Sequence, residues 1–144
     1  MARVLIAFAT RTDETARIGG LIGEGLRFTG HEAVEKNIKD IKLETDLEGY
    51  DAYVFGSPTY HGDMLQGMKT FLFLAEKASL AGKIGGAFGA HGWSTEAQER
   101  VFETMKNIFK MDMVRGPLLL KSSELGGGIQ MAQDYGREIA ARLT

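Results

Sequence analysis

The chain has 144 residues, of which 44% are hydrophobic and 25% are charged, and its formal net charge is −2. These values are typical of one globular domain with a single core, so we expect one domain over residues 1–144. The charge does not favour nucleic-acid binding or attachment to an anionic membrane surface. Because cysteine is absent, disulfides, thiolate catalysis and iron–sulfur ligation are excluded.

The N-terminal stretch MARVLIAFAT contains only a short apolar run and no small-residue cleavage site. It is therefore not expected to be a signal peptide. No apolar run in the sequence approaches the roughly 18 residues that a membrane-spanning helix needs. We expect a cytoplasmic protein that does not insert into a membrane.

The first half of the chain alternates between strand and helix patterns. Residues 3–9 are almost continuously apolar, as in a strand covered on both faces. Residues 14–27 carry apolar side chains at helical spacing. A short edge strand is predicted over 32–36, an irregular connection over 37–49, and a second buried strand over 51–56.

The second half continues the alternation. A helical stripe over 63–76 is followed by a strand over 83–90, whose paired glycines would let a helix pack closely. Another helix is predicted over 95–109, the last strand over 117–122, and a closing helix over 129–143.

Five strands alternating with helices predict an α/β fold with a parallel sheet and right-handed crossovers. Since the weakest strand suits an edge, we expect a doubly wound sheet in the order 2-1-3-4-5, with helices on both faces in three αβα layers. In such a sheet, ligands bind outside the carboxyl ends of strands 1, 3 and 4.

The loop after the first strand, TRTDET over 10–15, offers three threonine hydroxyls at the start of a helix. The unpaired backbone N–H groups of a helix N-terminus, together with the helix dipole, favour an anion there. The alternative is an ordinary helix cap, in which Thr12 caps the helix and Asp13 and Glu14 complement the dipole.

The loop after the third strand is GSPTYHGD, over 56–63. Tyr60 and His61 project from this loop, and Gly62 frees the backbone beside them. Tyr60 is a candidate stacking surface for a planar ligand; the alternative is an aromatic side chain folded over the core. For His61 the alternative is simple surface exposure.

The loop after the fourth strand is GAHGWSTEA, over 89–97. It carries Trp93, the single tryptophan, outside any helical stripe; the alternative is a core position. His91 is either a ligand contact or merely exposed. The three loops together predict a planar aromatic ligand with a phosphate tail.

These three loops resemble those of the flavodoxins, which bind FMN, and the resemblance covers essentially the whole chain. TRTDET occupies the place of the phosphate loop, whose usual form is Thr/Ser-x-Thr-Gly-Asn-Thr. GSPTYHG resembles the second flavin loop. GAHGWSTEA is most similar to the third loop of the flavodoxin domains of A-type flavoproteins.

The resemblance implies a flavodoxin-like fold and FMN as cofactor, with contacts from all three loops. The residues implied around the phosphate are Thr10, Arg11, Thr12, Asp13, Glu14 and Thr15. Those implied along one side of the isoalloxazine ring are Ser57, Pro58, Thr59, Tyr60, His61 and Gly62. Those implied on its other side are Ala90, His91, Gly92 and Trp93.

The first loop departs from the family pattern, because Asp13 and Glu14 replace Gly-Asn. We expect both carboxylates to point outward into water, and FMN to bind more weakly than to a loop with Gly-Asn. Arg11 either helps to neutralise the phosphate or pairs with one of the two carboxylates.

The resemblance further implies an electron carrier that acts as a monomer between transient redox partner proteins. It also implies that the peptide between His61 and Gly62 reorients when the flavin takes up an electron. One alternative is an FMN-dependent oxidoreductase linked to NAD(P)H, quinones or porphyrinogens. Another is a binding module of the same fold that has lost FMN. A receiver-type signalling module lacks support, since it needs acidic residues where the first and third strands end.

Overall fold

The computed structural model describes residues 1–123 and 126–143. Its strands are β1 (Arg3–Phe8), β2 (Glu32–Asn37), β3 (Ala52–Gly56), β4 (Ile84–Ala90), β5 (Asp112–Met113) and β6 (Leu118–Leu120). Its α-helices are α1 (Glu14–Phe28), α2 (Gln66–Glu76), α3 (Glu96–Glu103) and α4 (Gly128–Ala141). Shorter 3₁₀ helices occupy Ile38–Asp40 and Glu44–Leu47, and a π-helical segment, Thr104–Ile108, continues α3.

The sheet is parallel and follows the order β2-β1-β3-β4, with β5 and β6 both beside β4. The predicted order 2-1-3-4-5 is therefore confirmed. The last position differs in detail, since two short strands replace the single strand predicted over 117–122. Asp112 pairs with Ile84 at the start of β4, and Leu118 pairs with Phe88 near its end. Pro117 lies between the two strands and has no N–H for the ladder, which explains the interruption.

The sheet separates two apolar cores, because successive residues of a strand face opposite sides. On one side, α2 and α3 pack over Leu5 and Phe55. On the other side, α1 and α4 pack over Val4, Ile6 and Phe88. The three-layer αβα arrangement is thus confirmed.

The glycines of β4 allow a helix to pack closely, as predicted. A methyl group on Gly86 would lie 2.8 Å from the hydroxyl oxygen of Tyr135, which belongs to α4. That oxygen accepts a hydrogen bond from the backbone N–H of Ala87 at 3.0 Å. Burial of the Tyr135 ring raises the pKa of its hydroxyl to about 12, so the phenol stays neutral and holds α4 against the sheet.

Two predicted helices differ in their limits. The helix predicted over 63–76 begins only at Gln66, because Tyr60 and Asp63 close a tight turn with backbone hydrogen bonds of 2.7 and 3.1 Å. The helix predicted over 95–109 comprises α3 and the π-helical segment. Within the described ranges, no helix has both the length and the apolar character that crossing a bilayer requires.

Candidate functional site

A cleft opens at the carboxyl ends of β1, β3, β4 and β6, where the three predicted loops meet. Its volume is about 230 Å³. We call it the rim cleft and define it by its lining residues, which are Arg11, Thr12, Glu14, Pro58, Thr59, Tyr60, Ala90, His91, Gly92 and Lys121. Of these, only Lys121 was not among the residues predicted for the site.

Backbone hydrogen bonds beyond the strand ends fix the three loops to one another. Ala9 N–H donates to the Gly56 carbonyl at 2.9 Å, and Thr59 N–H donates to the Ala90 carbonyl at 3.2 Å. His91 N–H donates to the Leu120 carbonyl at 2.9 Å. The hydrogen-bond ladder therefore continues past the ends of the strands and connects the loops to one another.

The first loop turns into α1 at Asp13, whose backbone is left-handed with φ 66° and ψ 0°. Glycine adopts this conformation without strain, whereas Asp does so at a cost. The Asp13 side chain is exposed and makes no capping hydrogen bond to α1. The N-cap position is thus held by Asp13 and not by Thr12, the cap residue considered in the alternative, and within residues 1–123 and 126–143 no side chain caps the first N–H groups of the helix.

Two threonine hydroxyls of this loop are buried without a partner. Neither Thr10 Oγ1 nor Thr15 Oγ1 has a hydrogen-bonding group within reach in the described part of the chain. Thr15 is only 1% exposed. A buried hydroxyl without a partner costs about 1–3 kcal/mol. A ligand with a hydrogen-bonding group at the start of α1 would supply the missing partner for both hydroxyls.

Glu14 does not point into water as expected. Its carboxylate accepts a hydrogen bond from the backbone N–H of Ser123, in the loop after β6, and lies 3.6 Å from the Arg17 guanidinium. The Ser123 N–H lowers the pKa of the Glu14 carboxyl, with smaller contributions from the hydroxyls of Ser123 and Ser122. The charge of Glu14 is thus compensated on the side of Ser123 and Arg17.

Arg11 pairs with neither neighbouring carboxylate. Its guanidinium carbon lies 4.2 Å from the centroid of the Tyr60 ring, a cation–π contact that joins the first and second loops. Tyr60 is 40% exposed, which rules out the core position considered for it, and the edge of His61 lies against it with ring centroids 4.2 Å apart.

The second loop contains a tight turn over residues 60–63. Its two central residues, His61 (φ 51°) and Gly62 (φ 73°), both have left-handed backbones, as in a type I′ turn. The carboxylate of Asp63, the last residue of the turn, has two partners. It accepts the Met64 N–H at 2.7 Å and lies 2.5 Å from Lys69 Nζ, and the Lys69 contact lowers its pKa.

Ser57 and Thr59, both predicted to contact the ligand, also have structural partners. Ser57 is fully buried, and its hydroxyl donates to the Pro58 carbonyl and accepts the Leu65 N–H. The Thr59 hydroxyl donates to Gln98 Oε1 at 3.0 Å. Thr59 lines the rim cleft, whereas Ser57 is not among its lining residues.

Gln98 is a second residue of this region, besides Lys121, that the sequence patterns missed. It is fully buried, and its amide nitrogen donates to the carbonyls of Ser57 (2.7 Å) and Ala90 (3.0 Å). It therefore ties the second and third loops together from beneath. The sequence did contain one indication of its role: Gln98 is a polar residue beside Ala97 and three positions before Val101, which places it on the buried face of α3.

Trp93 in the third loop is completely exposed, so it does not occupy the core position considered as its alternative. Beside it, His91 Nδ1 lies 3.1 Å from the Gly92 carbonyl oxygen, and the His91 side chain is half-buried. A full indole surface in water is costly, so the rim presents an aromatic surface suited to covering a ligand or a partner.

A family model described as NADPH-dependent FMN reductase matches residues 14–122. A type A flavoprotein of Rhodobacter capsulatus is 32% identical over 98 residues, covering 68% of this chain and 22% of that protein. A flavodoxin of Clostridium saccharobutylicum is 29% identical over 117 residues, covering 81% of this chain and 71% of that protein. The chain thus spans about a fifth of the length of the type A flavoprotein.

Two further similarities bear on function. A protein of Archaeoglobus fulgidus named NAD(P)H dehydrogenase (quinone) is 30% identical over 116 residues, covering 61% of each chain. Among solved structures, a flavodoxin from the domain Archaea superposes with a TM-score of 0.91 at 25% identity and covers 98% of both chains.

Proposed function

Because this chain belongs to the NADPH-dependent FMN reductase family and is a flavodoxin-type protein, we propose that it holds FMN in the rim cleft and passes electrons between redox partner proteins. FMN is the cofactor that the family predicts, and this prediction is confirmed at the level of the family. The proposal also includes the residues that hold FMN, the role as electron carrier, the transient partners, the monomeric state and a single domain over residues 1–144.

One observation carries the proposal: two unpartnered threonine hydroxyls at the start of α1. Thr10 and Thr15 can both donate to phosphate oxygens, and the uncapped N–H groups of α1 can donate beside them. Each hydrogen bond to a charged group contributes about 1.5–3 kcal/mol. A phosphate therefore satisfies groups that the fold otherwise leaves buried at a cost.

The charges around this position also permit a phosphate. Glu14 keeps its negative charge, but its carboxylate accepts the Ser123 N–H and lies 3.6 Å from the Arg17 guanidinium, which partly offsets that charge. Arg11 and Lys121 line the cleft, and neither is within ion-pair distance of a carboxylate in residues 1–123 and 126–143. Asp13 is the remaining unfavourable charge, and its exposure to water weakens its repulsion of a phosphate.

The walls of the cleft suit the ring system of FMN. Pro58 and Tyr60 of the second loop line the cleft, together with Ala90, His91 and Gly92 of the third loop. When bound, FMN supplies the capacity to accept and donate one or two electrons. The protein itself would orient the ring through the backbone of the two loops and exclude water from it. One edge of the ring, beside Trp93, would remain accessible to a partner.

The proposal is tested by the native protein's absorbance between about 350 and 500 nm, followed by titration of the apoprotein with FMN. We expect flavin bands and saturable binding with a 1:1 ratio. The variants Thr10→Val and Thr15→Val each remove a hydroxyl at nearly constant volume. We expect each to weaken FMN binding by about tenfold and to affect riboflavin, which lacks the phosphate, much less.

A colourless protein that binds neither FMN nor riboflavin would contradict the proposal and favour a binding module without a cofactor. Equal effects of the two threonine variants on FMN and riboflavin would show that the phosphate does not lie at α1.

A second candidate function is direct oxidation of NAD(P)H with a quinone as acceptor. The family description and the Archaeoglobus fulgidus relative favour it. Mixing the FMN-loaded protein with NADPH in the absence of oxygen distinguishes the two. Rapid bleaching of the flavin bands supports the reductase, whereas bleaching that needs a separate reductase protein supports the carrier.

A further inference from the structure

An apolar groove of about 260 Å³ lies between α2 and the π-helical segment, and it shares no lining residue with the rim cleft. We call it the α2 groove. It is lined by Met64, Lys69, Leu72, Phe73, Glu76, Thr104, Ile108 and Phe109. The four of these that belong to α2 are spaced as one face of a helix over two turns. The groove therefore follows α2 over about 10 Å.

The π-helical segment determines which apolar side chain the groove receives. In an uninterrupted α-helix, at about 100° per residue, Ile108 would fall between Ala97 and Val101 on the buried face. The wider turn is closed by a hydrogen bond of 3.0 Å from Phe109 N–H to the Thr104 carbonyl. It gives the buried place to Phe109, which is 6% exposed, and leaves Ile108 58% exposed. Such turns are rare and are frequent at functional sites.

Phe73 of α2 is the second large apolar side chain exposed at this groove, at 72%. Ile108 and Phe73 thus present apolar surface to water from two different helical segments. Between these segments, the groove is also lined by the buried residues Met64, Leu72 and Phe109. A contiguous apolar surface of this kind on a globular protein marks an interaction site.

Glutamates surround the groove. A shallow depression beside it shares Met64 and Thr104 with its lining and is further lined by Glu96, Glu99, Arg100 and Glu103. Glu96 lies 3.5 Å from Arg100, whereas Glu99 and Glu103 accept hydrogen bonds from a neutral hydroxyl and a neutral amide. Glu76, in the groove itself, has no ion-pair partner among residues 1–123 and 126–143. The charges of three glutamates are therefore not offset by a cation.

Two cations line the groove and the depression, and one carboxylate contacts both. Asp63 lies 2.5 Å from Lys69 Nζ and 3.5 Å from Arg100. Lys106, in the π-helical segment, lies over the Phe102 ring at 5.8 Å and lines neither cavity. Carboxylates thus outnumber cations here by five to two, and the surface around the groove is negative.

Charge and shape together define the partner. A negative surface repels nucleic acids and anionic membranes and attracts a positively charged protein surface. A groove that follows one helix over two turns fits the apolar face of another helix. We propose that the α2 groove binds an amphipathic helix of another protein. Its apolar side chains would contact Phe73 and Ile108, and its flanking Lys or Arg side chains would face the glutamates. The inference goes beyond the proposed function and does not depend on FMN.

The test uses two synthetic helical peptides of about 18 residues as probes. Both carry leucine at positions i, i+3, i+4 and i+7, and their flanking charged residues are all lysine in one and all glutamate in the other. Binding to the protein as purified is measured by fluorescence anisotropy, and the contact surface is mapped by shifts of the backbone amide NMR signals. The variants are Phe73→Ser, Ile108→Ser and Glu76→Gln. The matched control is Phe28→Ser, since Phe28 is 60% exposed on α1, across the sheet. Circular dichroism and urea unfolding verify that each variant is folded.

We expect saturable binding of the lysine peptide and at least tenfold weaker binding of the glutamate peptide. The shifted signals should belong to α2 and the π-helical segment. Phe73→Ser and Ile108→Ser should each weaken the binding of the lysine peptide by about tenfold, and Phe28→Ser should not change it. Glu76→Gln should weaken it by about threefold. Salt at about 0.5 M should weaken it severalfold in the wild type.

Absence of binding by both peptides would overturn the inference, as would equal binding of the two. Signal shifts confined to the rim cleft, or an equal loss of affinity in Phe28→Ser, would place the partner elsewhere and overturn it as well. The FMN titration is a separate measurement, so a protein that binds the lysine peptide at the α2 groove without binding FMN would overturn the proposed function alone.

Discussion

The two carboxylates at the start of α1 differ in their surroundings, and this difference predicts opposite results for two similar variants. Asp13→Asn removes a charge from an exposed side chain with no capping role. Asparagine also tolerates the left-handed backbone found there (φ 66°). Glu14→Gln removes a charge that Ser123 N–H already engages. Only the first variant should improve the binding of FMN.

The size of the Asp13 effect follows from its exposure. At a dielectric close to that of water and a separation of about 6–10 Å, one carboxylate repels a phosphate dianion by roughly 1 kcal/mol. Removing it should tighten FMN binding by about fivefold. Because the interaction passes through solvent, the gain should shrink markedly when salt is raised to about 0.5 M.

For Glu14 the expected loss is in stability. A hydrogen bond from a backbone N–H to a carboxylate contributes about 1.5–3 kcal/mol, and a neutral amide acceptor about 0.5–1.5. Glu14→Gln should therefore reduce the free energy of unfolding by about 1 kcal/mol, whereas Asp13→Asn should leave it unchanged. The assays are FMN fluorescence quenching at two salt concentrations and urea unfolding of the apoprotein.

Two results would refute this reasoning. If both variants tightened FMN binding equally, Glu14 would not be compensated by Ser123 and Arg17. If Asp13→Asn left the dissociation constant unchanged at low salt, the phosphate would not lie near the start of α1.

Three further predictions concern the framework. Because the pKa of Glu14 is lowered in the folded state, its contribution to stability is present above about pH 4.5 and is lost as pH falls through the folded-state pKa. In urea titrations between about pH 6 and 3, the wild type should therefore lose more stability than Glu14→Gln. Gln98→Leu removes both amide bonds to the loop carbonyls and should cost about 2–4 kcal/mol in urea unfolding, together with weaker FMN binding; unaltered FMN affinity would show that the loops hold their positions without it. Gly136→Ala would place a methyl group 2.2 Å from the Ile22 carbonyl oxygen and should lower the melting temperature sharply, whereas Gly116→Ala, with nothing within 4 Å, should not.

The fold could be predicted because its strands and helices have clear hydrophobic periods. Strands buried on both faces and helices with one apolar stripe leave few topologies once right-handed crossovers are required. The split of the last strand was not predicted, since an apolar run such as 117–122 does not show where its ladder partner lies. The partner of Asp112 is Ile84, and nothing local to either residue indicates the pairing.

The meeting of the three loops could also be predicted, because the carboxyl ends of parallel strands share one edge of the sheet. The partners of individual side chains could not. Glu14 and Ser123 are 109 residues apart, and Thr59 and Gln98 are 39 apart. Such contacts depend on helix positions to within an ångström, whereas sequence patterns indicate only which face a residue occupies.

Two loops of the rim cleft contain residues with strained backbone conformations. Asp13 and His61 are non-glycine residues with left-handed backbones, and each lies in a loop that forms the cleft. In the turn over residues 60–63, glycine occupies the second central position. Reversing the peptide between His61 and Gly62 would give a type II′ turn, which requires glycine at the first central position. His61 would then enter a region of backbone space that is nearly restricted to glycine. The reorientation implied by the family resemblance is therefore opposed here by the order His-Gly, and the carbonyl of His61 is held in one orientation.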